Sequence, residues 1–414
     1  MKTARLLRFR VLGRLVLLAL LGGLLLFGYA LVDSWKATGT RAKGERLTRL
    51  VSSGRFDGKR FRDVLPRHQG SMLQMSREYF FGGSAHRTPE GVLPVIARKA
   101  ADFAQPADGG LRITWLGHST ILVEIDGRRV LLDPVWSERA SPFTWAGPRR
   151  FYAPPLPLDQ LPPLDAVLIS HDHYDHLDVG TIVSLGQATS VPFLVPLGVG
   201  AHLEYWGIPA DRIIELDWWQ EHTLDGLSLI ATPARHFSGR SITFADRDAT
   251  LWAGWALIGP SHRVFYSGDT AMFPGFSEIG ARLGPFDATL IEAGAYSALW
   301  ADVHLGPEQA VEAHQKVRGR LMIPVHWGLF DLALHGWTEP VERVLRAAQE
   351  SGVEVQTPPP GGTVVVGAAQ PQVARWWPDV PWLSAEAAPV VSSGLLLSAA
   401  PGDAPRGRLA RQAP

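Results

Sequence analysis

One short segment constrains the fold of this chain more than any other. Residues 171–176 hold three histidines and two aspartates, and they follow an apolar run that ends at Ile169. At a strand end, side chains two positions apart can point the same way, so His171 and His173 can converge on one cation while Asp175 and His176 reach another. Burying so many titratable groups costs several kcal/mol unless a cation compensates them. The segment therefore predicts a metal centre at the end of a buried strand.

The amino-acid composition limits how such a centre can be built. The 414 residues include no cysteine, which excludes a disulfide framework, a thiolate nucleophile and cysteine-ligated zinc. Any metal must therefore be held by His, Asp or Glu. Lys plus Arg and Asp plus Glu number 40 each, so no overall charge imbalance indicates a nucleic-acid partner.

Apolar runs separated by turn residues predict a layered α/β architecture. Asp126 and Gly127 are a strong hairpin signal between two strand-like runs. The clearest helix is predicted over residues 307–317, where a proline and Glu308 occupy the first turn. The predicted strands cover residues 111–115, 120–125, 129–132, 166–170, 193–196, 227–231, 264–266, 288–291 and 321–325.

The first 32 residues predict a membrane segment. Basic residues precede the uncharged run 15–32, which is longer than most signal-peptide cores and, with residues 11–14 added, long enough to span a bilayer. We expect a single retained anchor, with a cleaved signal peptide as the alternative. Arginine-rich N-terminal tails usually stay inside, so the catalytic domain is expected on the extracytoplasmic side of a bacterial inner membrane. Basic residues from Lys36 to Arg49 follow the run and keep a cytoplasm-facing domain as the alternative.

The pattern His-x-His-x-Asp-His after an apolar strand resembles the metal motif of the metallo-β-lactamase superfamily. That family requires three further ligands at later strand ends, and candidates for all three follow in family order. The resemblance implies a four-layer αβ/βα sandwich with two metal sites that share one bridging residue. The implied ligands are His171, His173 and His236 for one ion, Asp175, His176 and His326 for the other, and Asp269 as the bridge. Imidazole and carboxylate ligands suit two zinc ions, with iron or manganese as alternatives.

Several loops resemble, more narrowly, the N-acylphosphatidylethanolamine-hydrolysing phospholipase D branch of that superfamily. The resemblance covers about residues 111–363, and the matching runs are 167–170, 195–198, 214–219, 284–287, 294–296 and 326–328. It implies that a metal-bridging hydroxide hydrolyses a phospholipid phosphodiester to phosphatidic acid and an N-acylethanolamine, with Asp175 and Asp269 among the catalytic residues. The branch also has a histidine just before a helix start. His304 is therefore expected either to contact the substrate phosphate or donate a proton, or to support the site structurally.

Two other functions stay open. A lactonase, esterase or other phosphodiesterase of the same fold would use the same ligands, and a metal-binding envelope protein would keep them without turnover. Residues 232–237 and 291–294 differ from the mammalian members of the branch, which leaves the exact lipid open. The expected partners are a phospholipid substrate and the membrane, with no nucleic acid, and the sequence does not decide between a monomer and a homodimer.

Composition shifts divide the chain into four parts. We expect an anchor over residues 1–32, a lead-in over 33–108 that wraps the core, a hydrolase domain over 109–366, and an Ala/Pro-rich tail over 367–414. The tail is expected to be partly disordered, above all over 401–414.

Three further features have a structural explanation beside a functional one. His118 either lines the site or supports a hairpin. The tryptophans at positions 218, 219, 252 and 255 are expected to pack in the core rather than to face lipid. Arg149 and Arg150 are expected in an exposed loop rather than at a lipid phosphate.

Overall fold

Two seven-stranded β-sheets pack face to face in the computed structural model, which describes residues 2–68, 70–368 and 375–395. The strands of the first sheet are β1 (Leu111–Gly117), β2 (Thr120–Ile125), β3 (Arg128–Leu132), β4 (Ala166–Leu168), β5 (Phe193–Pro196), β6 (Ile213–Leu216) and β14 (Thr363–Val365). Their order across the sheet is β14-β1-β2-β3-β4-β5-β6. Strands β14 to β3 pair antiparallel, and β3 to β6 pair parallel.

The second sheet repeats this arrangement. Its strands are β7 (Glu221–Leu224), β8 (Leu227–Thr232), β9 (Gly254–Ile258), β10 (Arg263–Tyr266), β11 (Phe286–Glu292), β12 (Gly319–Val325) and β13 (Glu354–Val355). Their order is β13-β12-β11-β10-β9-β8-β7, with antiparallel pairing from β7 to β10 and parallel pairing from β10 to β13. Each sheet therefore joins an antiparallel half to a parallel half.

Helices cover the outer face of each sheet. Helices α4 (Val179–Ala188) and α5 (Gly200–Tyr205) pack on the first sheet, and α6 (Gly275–Leu283), α7 (Pro307–Lys316) and α8 (Glu339–Ser351) pack on the second. Strand alternation explains the layers: Ile121 and Val123 of β2 point into the core between the sheets, while Leu122 points into the core under α4 and α5. The result is the four-layer αβ/βα sandwich that the sequence implied.

The strands that the sequence did not predict are short or lack alternation. All nine predicted runs overlap a strand, but β6, β7, β9, β13 and β14 were not predicted. Strand β9 is buried over four of its five residues, and a strand buried on both faces has no polar alternation to reveal it. Trp255 of this strand, together with Trp218 and Trp252, is buried in the core, and Trp219 is half-buried against it.

The N-terminal helix α1 covers Lys2–Thr38, and it continues six residues past the predicted apolar run. By length and composition its segment Leu12–Thr38 is a candidate membrane span, and its apolar side chains are exposed. Two short helices, α2 (Gly44–Ser52) and α3 (Met72–Phe81), follow in the lead-in. Ion pairs tie this lead-in to the core, including Arg46 with Glu215 at 2.8 Å and Arg67 with Asp248 at 2.6 Å.

Residues 375–395 belong to the packed fold, although their composition suggested a loose tail. Trp376 stacks on Trp327 with ring centroids 5.3 Å apart, and the Trp377 indole donates a hydrogen bond of 2.7 Å to Glu342. Large aromatic side chains supply the burial that the surrounding Ala and Pro residues lack. The rest of the predicted tail, residues 369–374 and 396–414 with its expected disorder, lies outside the described residues.

Candidate metal centre

The carboxyl ends of strands from both sheets meet at one edge of the sandwich, and this edge collects the predicted ligands. The segment 171–176 follows β4 in the first sheet. From the second sheet, His236 follows β8, Asp269 follows β10, and His326 directly follows β12. Residues distant in sequence therefore face the histidine-rich segment across the gap between the sheets.

A first group of four side chains could hold a cation. Nε2 of His171 lies 2.8 Å from Nδ1 of His173, which lies 3.3 Å from Nε2 of His236. Oδ2 of Asp269 lies 3.7 Å from Nε2 of both His171 and His236. One ligand atom from each residue lies within 4.8 Å of the others. Atoms that each bind one zinc ion at about 2 Å are at most about 4 Å apart, so small adjustments bring this group around one ion.

A second group lies beside the first. Oδ2 of Asp175 lies 3.4 Å from Nε2 of His176, 3.3 Å from Nε2 of His326 and 2.9 Å from Nε2 of His118. The ligand atoms of these four residues also lie within 4.8 Å of one another. Three of the four are predicted ligands, and His118 is the addition.

Asp269 lies between the two groups. Its Oδ1 is 3.2 Å from Nε2 of His176, and its Oδ2 is 3.0 Å from Nε2 of His326. The same Oδ2 faces the histidines of the first group at 3.7 Å. One carboxylate is therefore within reach of both positions, which is the geometry that a bridging ligand requires.

The donor set fits divalent cations. Nε2 of His176, Nε2 of His326 and Oδ1 of Asp269 are buried and have no hydrogen-bond partner in the described part of the chain. Buried polar atoms are normally paired, so unpaired nitrogen and oxygen atoms that converge on one space indicate an ion. Imidazole and carboxylate ligands without thiolate suit zinc, iron or manganese.

The electrostatics of the cluster also favour a cation. Burial acts to raise the pKa of Asp269, but His176 and His326 hold that pKa well below its usual range. Burial, together with neighbouring histidines, lowers the pKa of His171 well below its ordinary value. Burial also acts to lower the pKa of His326, yet Asp269 and Asp175 raise that pKa to about 10. A cation held there would compete with a proton for His326, and the ionised carboxylates would supply the attraction.

Asp133, at the end of β3, orients the second group from behind. Its Oδ2 lies 2.7 Å from Nδ1 of His176, and its Oδ1 accepts a hydrogen bond of 2.7 Å from the Ser170 backbone N–H. The Tyr266 hydroxyl also donates to this carboxylate. When Nδ1–H of His176 donates to Asp133, Nε2 is left free for a metal.

Asp172 is the one acidic residue of the 171–176 segment that does not face the cluster. Its carboxylate accepts hydrogen bonds of 2.8 Å from the Gly239 backbone N–H and from the Thr250 hydroxyl. Asp172 therefore holds the segment 171–176 against the loop that follows His236. This contact fixes the position of the segment relative to His236.

His118 lies inside the site and also turns the hairpin, so it fills both roles that the sequence left open. It is 2% exposed, its ring packs on His326 with centroids 4.1 Å apart, and its Nε2 pairs with Asp175. Burial and the neighbouring His326 lower its pKa to about 3, so the imidazole is neutral. His118 also takes a positive φ of 53°, which turns the chain between β1 and β2.

His304 lies at the opposite end of the cluster. Its Nδ1 is 2.8 Å from Oε2 of Glu292 and 4.0 Å from Oδ2 of Asp269. Oε1 of Glu292 accepts hydrogen bonds of 2.9 Å from the backbone N–H groups of Thr270 and Leu305. Burial raises the pKa of Glu292, against the effect of His304. Sequence reasoning missed this glutamate, although its position at the end of β11 could have drawn attention to it.

A cavity of about 280 Å³ opens onto the cluster on the His304 side. Its polar wall holds five residues of the cluster and its edge: His173, Asp175, Asp269, His304 and His326. Its remaining wall is apolar and consists of Met75, Phe237, Ala295, Trp300, Val303 and Leu332. The predicted ligands thus come together at the floor of a pocket whose sides suit an apolar group beside a charged one.

Comparison with known proteins places this centre in a family. A model of the Beta-lactamase superfamily domain matches residues 128–327. An uncharacterised protein of Mycobacterium tuberculosis is 55% identical over 257 residues, which are 61% of this chain and 68% of that protein. The N-acyl-phosphatidylethanolamine-hydrolyzing phospholipase D 1 of Caenorhabditis elegans is 39% identical over 254 residues, 59% of this chain and 70% of that protein.

A solved structure with a similar fold is that of Igni18, a metallo hydrolase from the archaeon Ignicoccus hospitalis. It has 22% sequence identity and a TM-score of 0.48, and the match covers 61% of this chain and 97% of that one. The sequence matches carry the assignment. The chain belongs to the metallo-β-lactamase superfamily and, within it, to the branch of N-acylphosphatidylethanolamine-hydrolysing phospholipase D-like proteins. It is a metal-dependent hydrolase.

Proposed function

We propose that this hydrolase cleaves a phosphodiester bond in a phospholipid, and that an N-acylphosphatidylethanolamine yields phosphatidic acid and an N-acylethanolamine. The observation that carries the proposal is the pocket, where an apolar wall lies directly above the candidate metal ligands. A phospholipid presents this combination of an anionic phosphate and apolar chains. The nematode relative, at 39% identity, is named for hydrolysis of N-acylphosphatidylethanolamine, which supports the same substrate class.

The ligand set suits two metal ions, and zinc is the proposed metal. His171, His173 and His236 would hold one ion, Asp175, His176 and His326 the other, and Asp269 both. Ions bound there would supply an activated water and Lewis-acid stabilisation of the phosphate charge. The chain contributes the arrangement: Asp133 holds the ring of His176 and Asp172 holds the segment that carries the ligands.

His304 is the proposed proton donor or phosphate contact. Glu292 is buried and holds Nδ1 of His304, which leaves Nε2 as the nitrogen that the glutamate does not occupy. Nε2 can therefore contact a phosphate oxygen or pass a proton to the departing alkoxide. Its place on the pocket wall beside Asp269 suits both tasks.

The proposed location agrees with this substrate. The candidate anchor α1 would keep the catalytic domain beside a bilayer, where the phospholipid concentration is highest. We propose that the domain lies on the extracytoplasmic side, because the N-terminal tail before Leu12 is rich in basic residues.

The test is a product analysis with matched variants. Full-length protein reconstituted with zinc is incubated with vesicles that contain N-acylphosphatidylethanolamine, and mass spectrometry reads phosphatidic acid and N-acylethanolamine. Asp269→Asn should form neither product, whereas Asp225→Asn, which alters an exposed carboxylate in a distant hairpin turn, should match the wild type. Faster cleavage of a lactone or a simple ester than of the phospholipid by orders of magnitude would overturn the proposal in favour of a lactonase or esterase.

A further inference from the structure

The last turn of α1 is packed against the hydrolase domain by three separate loops. The Arg240 guanidinium donates a hydrogen bond of 2.9 Å from Nε to the Ala37 carbonyl, and the Trp206 indole donates one of 2.8 Å to the Lys36 carbonyl. The Asp33 carboxylate accepts a hydrogen bond of 3.0 Å from the Thr144 backbone N–H. Contacts from three directions within one turn and a half hold the helix end in one orientation.

Arg240 links this helix end to the segment that carries the metal ligands. Beside Ala37, its guanidinium donates to the carbonyl of Asp172 and, at 2.8 Å, to that of Leu177, on either side of the ligands 173–176. The guanidinium is buried and lies over the ring of Tyr174, 4.1 Å from its centroid. One buried side chain therefore contacts both the end of α1 and the segment that carries the predicted ligands.

The domain contacts begin where the apolar part of the helix ends. Between Arg14 and Asp33 the helix carries no charged residue, and these 18 positions rise about 27 Å at 1.5 Å per residue. The hydrocarbon core of a bilayer is about 30 Å thick. A helix inserted in this way leaves the hydrocarbon close to Asp33, so the loops that bind Asp33 and Ala37 would lie at the level of the lipid head groups.

These same loops expose large aromatic side chains. Trp145 is 52% exposed and follows Thr144, the residue bound by Asp33. Phe244 is 65% exposed and precedes Ala245, whose carbonyl accepts a hydrogen bond from Arg41. Trp35 on the helix itself is 71% exposed. Exposed Trp and Phe around a helix exit are the residues that membrane proteins place at the membrane–water boundary.

We propose that Trp35 and the loops 141–147 and 241–246 form a surface that lies in the bilayer interface and binds phospholipid head groups and upper acyl chains. The hydrolase domain is then held at a fixed height and tilt, instead of moving freely on a tether. The proposal requires that α1 is inserted, and it is independent of the substrate assigned above.

The absence of cysteine makes a direct test practical, because single cysteines can carry a nitroxide spin label. Full-length Trp145→Cys and Phe244→Cys are labelled in vesicles of phosphatidylcholine and phosphatidylglycerol. Leu24→Cys serves as the hydrocarbon reference, and Asp225→Cys, in the hairpin turn at the opposite edge of the sheets, as the aqueous reference. Power saturation then compares collisions with oxygen and with a water-soluble nickel complex.

Labels at positions 145 and 244 should collide with nickel several-fold less than the label at 225 and with oxygen less than the label at 24. Nickel access equal to that at 225 would overturn the proposal. Protection accompanied by dipolar broadening that disappears on dilution with unlabelled protein would assign the surface to a second copy instead. Lack of oxygen contact at 24 would overturn insertion and the proposal together.

A linker variant tests the fixed height. A Gly-Ser insertion of about 12 residues between Val32 and Asp33 adds a reach of roughly 20 Å, so it frees the domain from the bilayer and leaves its own contacts with residues 33–37 intact. Nickel access at positions 145 and 244 should rise toward the aqueous reference, while position 24 stays unchanged. The same insertion after Gly226 is the control, and it should change neither label. No rise with the first linker would show that the aromatic loops do not depend on the anchor.

Discussion

The two ends of the metal cluster each carry a histidine paired with a carboxylate, and they differ in what lies beyond it. At one end His118 pairs with Asp175 at 2.9 Å, and at the other His304 pairs with Glu292 at 2.8 Å. The ring of His118 is buried against Phe330 and the histidines of the cluster, whereas the side chain of His304 is 12% exposed and faces the pocket. We therefore expect the two similar pairs to have different roles, because only the pair of His304 and Glu292 lies at the pocket where a substrate can bind.

The largest effect should come from removing the carboxylate that both ends share. Asp269→Asn removes the negative charge that lies within 3.7 Å of four histidines, so both metal positions should weaken together. Elemental analysis of the wild type should find about two metal ions per chain after zinc reconstitution. The variant should hold fewer than one ion and lose all turnover. Full activity in the variant would show that the two ends work without a shared residue.

His304→Ala should separate chemistry from metal binding. The metal content should stay at the wild-type level, because the predicted ligands are intact, while kcat falls roughly 10²–10⁴-fold, the usual worth of a positioned acid or base. Glu292→Gln keeps the imidazole but removes the carboxylate that holds its Nδ1, so a smaller loss of kcat is expected. A loss of zinc equal to the loss of rate would instead make His304 a metal ligand.

His118→Ala should show the opposite pattern. Removing the ring that fixes Asp175 should weaken zinc binding about 10- to 100-fold, with kcat near the wild-type value once zinc is saturating. Competition with a chelator measures the affinity, and zinc-dependent turnover measures the recovery. If excess zinc leaves the rate low, His118 takes part in the reaction and the contrast between the ends is wrong.

The smallest effect should come from trimming the apolar side chains that lie beside the two histidines. Trp300→Leu trims the apolar side of the open pocket, so KM for a phospholipid should rise roughly 10-fold while a water-soluble phosphodiester is unaffected. Phe330→Leu trims the ring that packs on His118 at the buried end of the cluster. It should leave KM unchanged for both the phospholipid and the water-soluble phosphodiester. Equal changes for both substrates in Trp300→Leu would indicate a general distortion of the site.

The residues that gather at the candidate metal centre could be picked out from the sequence, because they form a local pattern of potential metal donors. Segment 171–176 places several donors behind a strand, and His236, Asp269 and His326 each end a strand-like run. The layered fold was predictable for the same reason, since alternation and hairpin signals act over a few residues.

The pairings that support these residues could not be predicted, because the two partners are distant in sequence. His118 meets Asp175 across 57 positions, and His176 meets Asp133 across 43. No spacing rule connects a strand end to a partner that far away. The packing of residues 375–395 could not be predicted for a related reason: their Ala and Pro content suggests a tail, whereas Trp376 and Trp377 contact partners that are distant in sequence.

The contacts of the α1 end also define where a soluble version of this enzyme must start. Truncation after the uncharged run, so that the chain starts at Asp33, removes the basic N-terminal residues and the apolar part of the helix. It keeps the carbonyls that Arg240 and Trp206 use. Truncation at the end of the helix, after Thr38, would leave a buried guanidinium without one of its acceptors, beside the ligand-bearing segment. The boundary between the membrane anchor and the hydrolase domain therefore lies inside one continuous helix. A truncation at the end of that helix would remove contacts that the hydrolase domain needs.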